Sequence, residues 1–363
     1  MKKRHLILGI VGLTIIFTIA IWGLPDEDAI RGDIGAEFDR LFQTYADSFS
    51  GTVLLAANKE IFMMKSYGFA DFPKKIPLDK DSVFYLASVS KHITAVAILK
   101  LEDQGKLKTS DTLDKFFQNI PEDKKAITIH HLLTHTSGLM RMYGDTFEMV
   151  ERDTAVRKTL ATRLGSKPGE KFLYSNIGYN LLAAIVEKAC GKKYIDFLKK
   201  DIFSPFGMTN TATVRDQTRW PIEQIAHAYQ DENDKGTHLD WGMSWKRLGS
   251  GGIVTCVEDI YRFEVALLDG KVISYRAREK MQTPSLSNYG YGLHLQTTPK
   301  GYFRYSHSGG FEGFFTYLVV FPETKIILVI LANKVNSEKL RSLIKQVNEK
   351  LESTAVILSS PYK

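Results

Sequence analysis

The sequence predicts an α+β fold in which strands from both ends of the chain form one antiparallel sheet, flanked by helices and carrying a large helical insertion. Strand-like segments gather near residues 51–70 and 291–332. The stretch between them, roughly residues 88–280, reads mostly as helical runs and loops. Strands collected at the two ends, without regular strand–helix alternation, are typical of α+β domains.

The composition is that of an ordinary globular protein. The chain has 363 residues, 44% of them hydrophobic and 25% charged. This length suffices for a full core and an enclosed pocket. Two cysteines exclude a disulfide scaffold, and Cys190 and Cys256 are expected as buried thiols, with pairing left open. The net charge of +7 falls to +4 once Lys2, Lys3 and Arg4 are set aside. Nucleic acid is therefore a poor candidate partner.

The N-terminal segment is predicted to be a membrane helix. Residues 6–24 contain no charged side chain and are rich in isoleucine and leucine. A spanning helix needs about 20 apolar residues, whereas a secretory signal has a shorter apolar region and a small-residue cleavage site. The sequence favours a signal anchor at residues 1–28, with secretion after cleavage as the alternative. Basic residues precede the run, so the domain at residues 29–363 is expected outside the cytoplasm, on a single-pass anchor in the cell membrane.

The first part of the sheet is predicted to follow an amphipathic helix. Residues 36–49 place aromatic and aliphatic side chains at helical spacing. Residues 51–57 and 60–70 read as two strands, and Asn58 and Lys59 between them are typical of a hairpin turn.

The second part of the sheet is predicted near the C-terminus. The expected elements are strands at residues 291–295, 302–306, 314–321 and 325–332, a turn at residues 322–324 and a closing helix at residues 337–351.

Several patterns for other chemistries are incomplete. His131 and His135 are four residues apart, as zinc ligands on one helix face would be, but Leu132 stands where a zinc peptidase needs glutamate. A structural role is favoured for both histidines. The sequence has no Gly-x-Ser-x-Gly elbow, and the glycine cluster at residues 249–252 is expected to be a tight loop. No metal or organic cofactor is implied by any spacing.

A Ser-x-x-Lys pattern remains. It occurs at Ser88 and Lys91, at Ser342 and Lys345, and at Ser360 and Lys363. Ser360 lies in the terminal tail, and Ser342 lies within a charged helix whose face is expected to be solvated. Ser88 instead follows the strand-like residues 83–86 and precedes the apolar residues 93–99, which predict a buried helix. The flanking residues therefore favour Ser88 and Lys91 as the candidate catalytic pair.

This placement suits nucleophilic catalysis. A serine hydroxyl is a weak nucleophile until a neighbour accepts its proton. Burial and the positive end of a helix dipole press Lys91 toward the neutral form, which can act as a base. Backbone N–H groups at the same helix start can stabilise an oxyanion.

The chain resembles a known family at three motifs, which occur in the family's order. They are Ser88-Val89-Ser90-Lys91, Tyr174-Ser175-Asn176 and His307-Ser308-Gly309. They resemble the active-serine, Tyr-x-Asn and His-x-Gly (or Lys-Thr-Gly) motifs of serine beta-lactamases and penicillin-binding proteins, in the branch of class C beta-lactamases and D,D-peptidases. Residues 129–139, 168–170 and 206–211 are similar to further family landmarks, and the resemblance covers about residues 36–350. It implies a beta-lactamase/transpeptidase-like fold.

The resemblance also implies roles for individual residues. Ser88 would be the acylated nucleophile, and Lys91 and Tyr174 would share its proton and pass it to the leaving group. Asn176 would hold Lys91 and contact the acyl side of the substrate. The oxyanion hole would use the backbone N–H groups of Ser88 and Gly310.

The third motif departs from the antibiotic-hydrolysing pattern. His307 stands where that branch has lysine, and a histidine is charged conditionally at neutral pH. His307, Ser308, Gly309 and Gly310 are expected to bind substrate. The resemblance therefore favours an extracytoplasmic serine hydrolase of carboxypeptidase or esterase type over a dedicated beta-lactamase. Its substrate would be a small molecule or peptide with an amide or ester bond, such as a D-amino-acid peptide, an ester or a beta-lactam.

Other interpretations stay open. A sensor of cell-envelope compounds would be acylated without hydrolysis, and an envelope scaffold would use its anchor and surface alone. Taken singly, Tyr174 fits core packing, Asn176 a helix cap and His307 an ordinary strand position. The loop-rich stretch with Trp220, Trp241 and Trp245 either lines a pocket mouth or packs.

Overall fold

The computed structural model describes residues 27–216, 219–242 and 244–359. The predicted membrane helix at residues 6–24 lies outside the described residues. Within those described ranges, no helix is both long and apolar enough to cross a membrane.

Ten helices and thirteen strands are present in the described ranges. The helices are α1 (Glu27–Gln43), α2 (Ser90–Asp103), α3 (Ile129–Leu133), α4 (Arg152–Leu160), α5 (Asn176–Cys190), α6 (Tyr194–Phe197, continued by a π-helical stretch Leu198–Phe203), α7 (Trp245–Gly251), α8 (Val257–Leu268), α9 (Tyr275–Met281) and α10 (Ser337–Ser359). The strands are β1 (Phe49–Ala57), β2 (Glu60–Tyr67), β3 (Phe69–Asp71), β4 (Ile76–Pro77), β5 (Phe84–Tyr85), β6 (Ala212–Thr213), β7 (Tyr229–Gln230), β8 (Asn233–Asp234), β9 (Ile253–Thr255), β10 (His294–Thr297), β11 (Phe303–Phe311), β12 (Phe314–Phe321) and β13 (Ile326–Val335).

The main sheet joins the two ends of the chain, as predicted. Its order is β10-β11-β12-β13-β1-β2, and every neighbouring pair on this path is antiparallel. The short strand β7 adds one parallel pairing to β13, and β8 pairs with β7. The α+β prediction is confirmed, and the sheet brings β11, which carries the third motif, beside the start of the inserted region.

The N-terminal hairpin forms where predicted, with one break. Asn58 and Lys59 both adopt positive φ angles, of 50° and 72°, which suit the two-residue turn between β1 and β2. The second predicted strand is interrupted at Gly68, whose φ of 81° ends β2 before β3 begins.

The first helix is shifted from its predicted position. It ends at Gln43 instead of reaching residue 49, because backbone hydrogen bonds across residues 44–48 turn the chain before β1. Phe38 and Phe42 are buried as the helical spacing predicts, whereas Phe49 is buried as the first residue of β1.

Four predicted elements near the C-terminus have different bounds. The last strand extends to Val335 instead of residue 332, and the closing helix extends to Ser359 instead of residue 351. The strand expected at residues 291–295 begins at His294, and the strand expected at residues 302–306 extends to Phe311. The predicted strand at residues 314–321 is confirmed as β12. The inserted region consists mainly of helices and loops, as predicted. Its strands β6 and β9 form a small sheet with β5, which directly precedes the region, and these two- and three-residue strands are too short for a periodic signal.

The sheet is covered on both faces. Along β1, Val53 and Leu55 pack with α1 and α10, while Leu54 and Ala56 belong to the larger core shared with the inserted helices. This alternation follows from the two-residue period of a strand. In the larger core α8 packs against β1 and β13, and α2 and α5 pack against each other and against α7. Helices α2 and α5 carry part of the candidate active site.

Candidate active site

The candidate nucleophile Ser88 lies in a tight turn between β5 and α2. The turn is a single 3₁₀ segment, Ala87–Val89, and Ala87 before the serine has a positive φ of 49°. Positive φ is uncommon outside glycine and is often found at functional sites. Ser88 is half-buried between buried neighbours, so its hydroxyl stays accessible while its backbone is fixed.

Lys91 lies one helical turn after Ser88 and faces it. Its Nζ is 3.1 Å from Ser88 Oγ and donates to the Ser250 carbonyl oxygen at 2.7 Å. The side chain is 0% exposed, and this burial, with the nearby Arg141, lowers the pKa of Lys91 well below its usual value of 10.5. A neutral amine can donate to Ser250 while its lone pair accepts the Ser88 proton. The predicted pairing of Ser88 and Lys91 is present in the structure.

Tyr174 completes this group. Burial raises the pKa of Tyr174 to about 12, although a hydrogen bond with Ser88 opposes the rise. Lys91 Nζ lies 4.9 Å from the centre of the tyrosine ring, and the Arg141 guanidinium lies 5.7 Å from it. The structure therefore brings the three predicted catalytic side chains together, with Tyr174 as a neutral phenol.

The His135 ring packs against the Tyr174 ring. Its ring centre lies 4.2 Å from that of Tyr174 and 4.8 Å from that of Tyr289. Its Nδ1 accepts a hydrogen bond from the Ser175 backbone at 3.0 Å, which places the proton of the neutral ring on Nε2. Burial lowers the pKa of His135 well below 6.5. His135 is thus a positioning residue for Tyr174.

The two histidines spaced like zinc ligands lie in different environments. Helix α3 ends at Leu133, so His135, with a φ of 58°, is beyond the helix and not on its face. His131 instead accepts from the Thr128 backbone and caps the helix start. Within the described ranges, no group of three or more potential ligand side chains is placed to hold a metal ion.

Asn176 does not hold Lys91 as the resemblance implied. It begins α5, and its Nδ2 makes a weak contact of 3.4 Å with the Met142 sulfur. Its Oδ1 is buried without a hydrogen-bond partner. Lys91 Nζ donates to the Ser250 carbonyl oxygen instead. Asn176 lines the cavity at Ser88.

The glycine cluster at residues 249–252 supplies that carbonyl. It was expected as a tight loop, but it forms the end of α7 and leads into β9. Asn180 Oδ1 accepts from the backbone N–H groups of Gly249 and Ser250, at 3.2 and 3.1 Å. Any side chain at Gly249 would collide with α5, since an added Cβ would lie 2.8 Å from Ala183 Cβ. The cluster therefore allows two helices to meet closely beneath the active site.

The third motif lies on β11, beside the turn that contains Ser88. A Cβ at Gly309 would lie 2.8 Å from the Ser88 backbone nitrogen, so glycine is needed for this approach. Ser308 and Gly310 are exposed, and Gly310 lines the same cavity as Ser88.

The ring of His307 is turned away from the cavity. It is 2% exposed, its Nδ1 donates to the Ser308 carbonyl oxygen at 2.7 Å, and its Nε2 accepts from the Tyr289 hydroxyl at 2.9 Å. Burial lowers the pKa of His307 well below 6.5. A neutral ring with both nitrogens bonded cannot offer a charge to a substrate anion. The expected substrate-binding role therefore falls to the exposed backbone of this strand, and the His307 ring acts as a structural support.

A cavity of about 210 Å³ opens at Ser88. Its lining residues are Tyr85, Ala87, Ser88, Arg141, Met142, Thr146, Asn176, Arg247, Ser250, Gly251, Gly310 and Phe311. Two of them are arginines and none is acidic. Sequence reasoning missed Arg141, Arg247 and Ser250, since none belongs to a recognisable motif and each reaches the cavity through the tertiary fold.

The tryptophans and cysteines lie mainly in packed positions. Trp220 and Trp245 are buried, whereas Trp241 packs against Phe311 at the cavity wall, with ring centres 5.0 Å apart. Both cysteines are free thiols; Cys256 is buried and Cys190 only half-buried.

The chain matches one family model over most of its length. A model described as Beta-lactamase matches residues 38–351. Penicillin-binding protein 4* of Bacillus subtilis (strain 168) is 34% identical over 325 residues, which cover 81% of this chain and 70% of that protein. The putative penicillin-binding protein PbpX of the same strain is 31% identical over 306 residues, 84% of this chain and 74% of that protein.

Solved structures share the fold. A penicillin binding protein from Bacillus halodurans superposes with a TM-score of 0.73 at 24% identity, covering 86% of this chain and 99% of that one. The D-amino acid amidase from Ochrobactrum anthropi SV3 complexed with L-phenylalanine gives a TM-score of 0.76 at 22% identity, covering 89% and 99%. At these identities the likeness establishes the fold.

Proposed function

Because this chain belongs to the beta-lactamase family of serine hydrolases, we propose that it hydrolyses amide or ester bonds through an acyl-enzyme on Ser88. One observation carries the proposal: a fully buried Lys91 amine lies 3.1 Å from the Ser88 hydroxyl at the base of an open cavity. A lysine kept neutral by burial is suited to accept the proton of a serine nucleophile.

The acylation step uses Lys91 as base and Tyr174 as proton donor. As Ser88 Oγ bonds to the substrate carbonyl carbon, its proton moves to the Lys91 lone pair. Backbone N–H groups of Ser88 and Gly310 would stabilise the oxyanion, and one such donor is typically worth about 10²–10³ in rate. When the bond to the leaving group breaks, Tyr174 supplies its phenolic proton to the leaving nitrogen or oxygen. Lys91 then returns a proton to Tyr174.

The deacylation step reverses these proton movements. A water oxygen attacks the ester carbon of acyl-Ser88 and gives up one proton to the same Lys91–Tyr174 pair. The ester bond then breaks, the acid leaves, and Ser88 Oγ recovers a proton. The net reaction consumes one water for each bond cleaved.

The substrate class we favour is that of carboxypeptidases and esterases. The neutral, buried His307 provides no charge at the third motif, where the antibiotic-hydrolysing branch has lysine. One of the two relatives named above is a penicillin-binding protein and the other a putative one, and a D-amino acid amidase shares the fold. D-amino-acid peptides and esters are therefore better candidate substrates than beta-lactams.

We also propose that residues 1–28 anchor residues 29–363, a single hydrolase domain, outside the cytoplasm in the cell membrane. The support is the uncharged run at residues 6–24 behind three basic residues. The chain should remain with membranes after a high-salt wash and be digested by protease added to intact cells. Release into the medium would instead indicate signal cleavage.

The test of the hydrolase is covalent labelling at Ser88. Full-length protein in detergent is mixed with an activated ester, a D-amino-acid peptide or a beta-lactam, and its intact mass is followed with time. The wild type should gain the acyl mass, lose it again and release product. Ser88→Ala should show neither the adduct nor turnover.

Ser342 provides the matched control, because it heads another Ser-x-x-Lys pattern on the exposed face of α10. Ser342→Ala should behave as the wild type does. An adduct that persists without product would favour the non-hydrolysing sensor. Full turnover by Ser88→Ala would remove the proposed mechanism.

A further inference from the structure

Arg247 lies at one end of the active-site cavity without a carboxylate partner. It is 6% exposed, and none of the ion pairs in the described part of the chain includes it. Its Nη2 donates to the Trp241 and Gly242 carbonyl oxygens at 2.7 and 3.1 Å, while its Nη1 is buried without a partner. A buried charged donor left unpaired is costly, so such a group favours binding an anion.

The guanidinium is held firmly in place. Its centre lies 5.3 Å from the ring centre of Phe147 and 5.1 Å from that of Phe311, and these two rings contact each other with centres 5.9 Å apart, so the guanidinium packs against a pair of aromatic side chains. A planar guanidinium fixed in this way matches the geometry of a carboxylate. Arg141, exposed at the same cavity, adds a second positive charge.

The position of Arg247 identifies the part of the substrate it would meet. Tyr174, the proposed proton donor to the leaving group, lies toward the His307 end of β11, with ring centres 6.4 Å apart. Arg247 lies at the Phe311 end of the same strand segment. A substrate bound across Ser88 would therefore direct its acyl portion toward Arg247 and its leaving group away from it.

We propose that Arg247 is a specificity residue that binds a carboxylate on the acyl portion of the substrate. This inference rests on the proposed hydrolase function and narrows it to esters and amides of acids that carry a second, anionic group. His307 has no part in this recognition.

The test compares two acyl chains on one leaving group. The probes are the mono-para-nitrophenyl ester of adipic acid, whose acyl chain ends in a carboxylate, and the methyl ester of the same compound. The wild type should prefer the anionic probe by about tenfold or more in kcat/KM, the typical effect of one charge-assisted hydrogen bond. Arg247→Gln should lower this ratio by about tenfold, and Arg247→Lys, which keeps the charge without the planar fork, should retain part of it.

Arg262→Gln is the matched control. Arg262 lies on the exposed side of α8, paired with Glu258, so its removal changes the net charge equally but should leave both the ratio and the activity unchanged. A second probe pair, acetate esters of para-nitrophenol with and without a ring carboxylate, places the anion on the leaving group. That ratio should not respond to Arg247→Gln.

The pH dependence separates Arg247 from a histidine. A guanidinium keeps its charge between pH 6 and pH 8, and Tyr85, a titratable cavity side chain near Arg247, stays neutral because burial raises its pKa to about 12. The preference should therefore persist across this range, whereas recognition by a histidine would fade as the pH rises.

Three results would overturn the inference: no preference in the wild type, an unchanged ratio in Arg247→Gln, or a loss confined to the leaving-group anion. The wild-type comparison needs no variant, so it decides the question even where a variant fails to fold. Failure of the hydrolase proposal looks different, because the wild type would then cleave neither ester and Ser88 would carry no adduct.

Discussion

At the scale of single residues, the candidate active site depends on how burial changes the protonation of Lys91 and Tyr174. Lys91 would ordinarily be a cation, and burial favours its neutral form, whereas Tyr174 is ordinarily a neutral phenol and burial keeps it so. Lys91 is then the group able to accept the Ser88 proton, and Tyr174 the group able to give one. This division of roles follows from environment and not from residue type.

The buried lysine should cost stability that a substitution can restore. Because the pKa of Lys91 is lowered well below its ordinary value of 10.5 in the folded chain, the unfolded chain binds this proton more tightly, and folding is disfavoured at pH values below 10.5. Lys91→Met should abolish acylation and stabilise the fold by about 1–2 kcal/mol. Chemical unfolding at pH 7 measures the change, and the gain should shrink as the pH approaches 10.5.

Lys246 is the contrasting control for that experiment. Its side chain is equally buried, but its Nζ pairs with Glu148 Oε2 at 3.3 Å and bonds to the Asp145 carbonyl oxygen. Lys246→Met should therefore destabilise the protein. Equal destabilisation by Lys91→Met would contradict the argument that burying Lys91 lowers the free energy of unfolding.

At the scale of elements, the site depends on the contact between β11 and the Ser88 turn. Thr316 of β12 donates to the Leu86 carbonyl oxygen at 2.9 Å, which ties the sheet to the residue before the turn. Gly309 permits the close approach, and its φ is unremarkable, so the requirement is space and not backbone conformation.

Gly309→Ala should separate the strand from the turn. The added methyl group would clash with Thr316 Oγ1 and with the Ser88 backbone, where neither atom belongs to a flexible chain end. We expect a loss of about 1–3 kcal/mol in the free energy of unfolding, as for overpacked cores, together with loss of Ser88 acylation.

Gly310→Ala serves as the stability control, since its added Cβ would meet just one atom, the Phe314 carbonyl oxygen, at an ordinary 3.8 Å. Its free energy of unfolding should stay close to that of the wild type. Equal destabilisation of both variants would contradict the close-approach argument.

At the scale of the whole molecule, buried histidines link stability to pH. Burial lowers the pKa of His135, His238 and His307, and partial burial lowers the pKa of the less enclosed His130, His131 and His294. For His238 the value is about 4. Below pH 6.5 the unfolded chain binds more protons at these histidines than the folded chain does. The free energy of unfolding therefore decreases as the pH falls below 6.5.

The free energy of unfolding should therefore decrease by about 2–5 kcal/mol between pH 7 and pH 5. Ion-paired carboxylates such as Asp39 and Asp71 have lowered pKa values, so their protonation reduces the free energy of unfolding only below pH 5. His135→Asn keeps an acceptor for the Ser175 N–H and should make the dependence shallower. A flat profile from pH 7 to pH 5 would show that the histidines titrate normally in the folded protein.

Local features of this protein followed from its sequence. The spacing of Ser88 and Lys91 places them on one face of a helix start, and Asn58 with Lys59 forms the predicted turn, because both depend on neighbours along the chain. The boundaries that moved, such as the end of α1 at Gln43, depend on backbone hydrogen bonds in the turns that follow an element, which hydrophobic periodicity does not encode.

The sequence by itself selected Ser88, Lys91 and Tyr174 as the candidate catalytic group and predicted the sheet shared by both chain ends, since motif order and hydrophobic periodicity encode them. The tertiary structure alone decided that Ser250 and not Asn176 holds Lys91, that His307 is a neutral support, and that Arg247 reaches the cavity. The physical reason is that burial and charge state depend on side chains brought together from distant segments, and the spacing of residues along the chain does not encode those contacts.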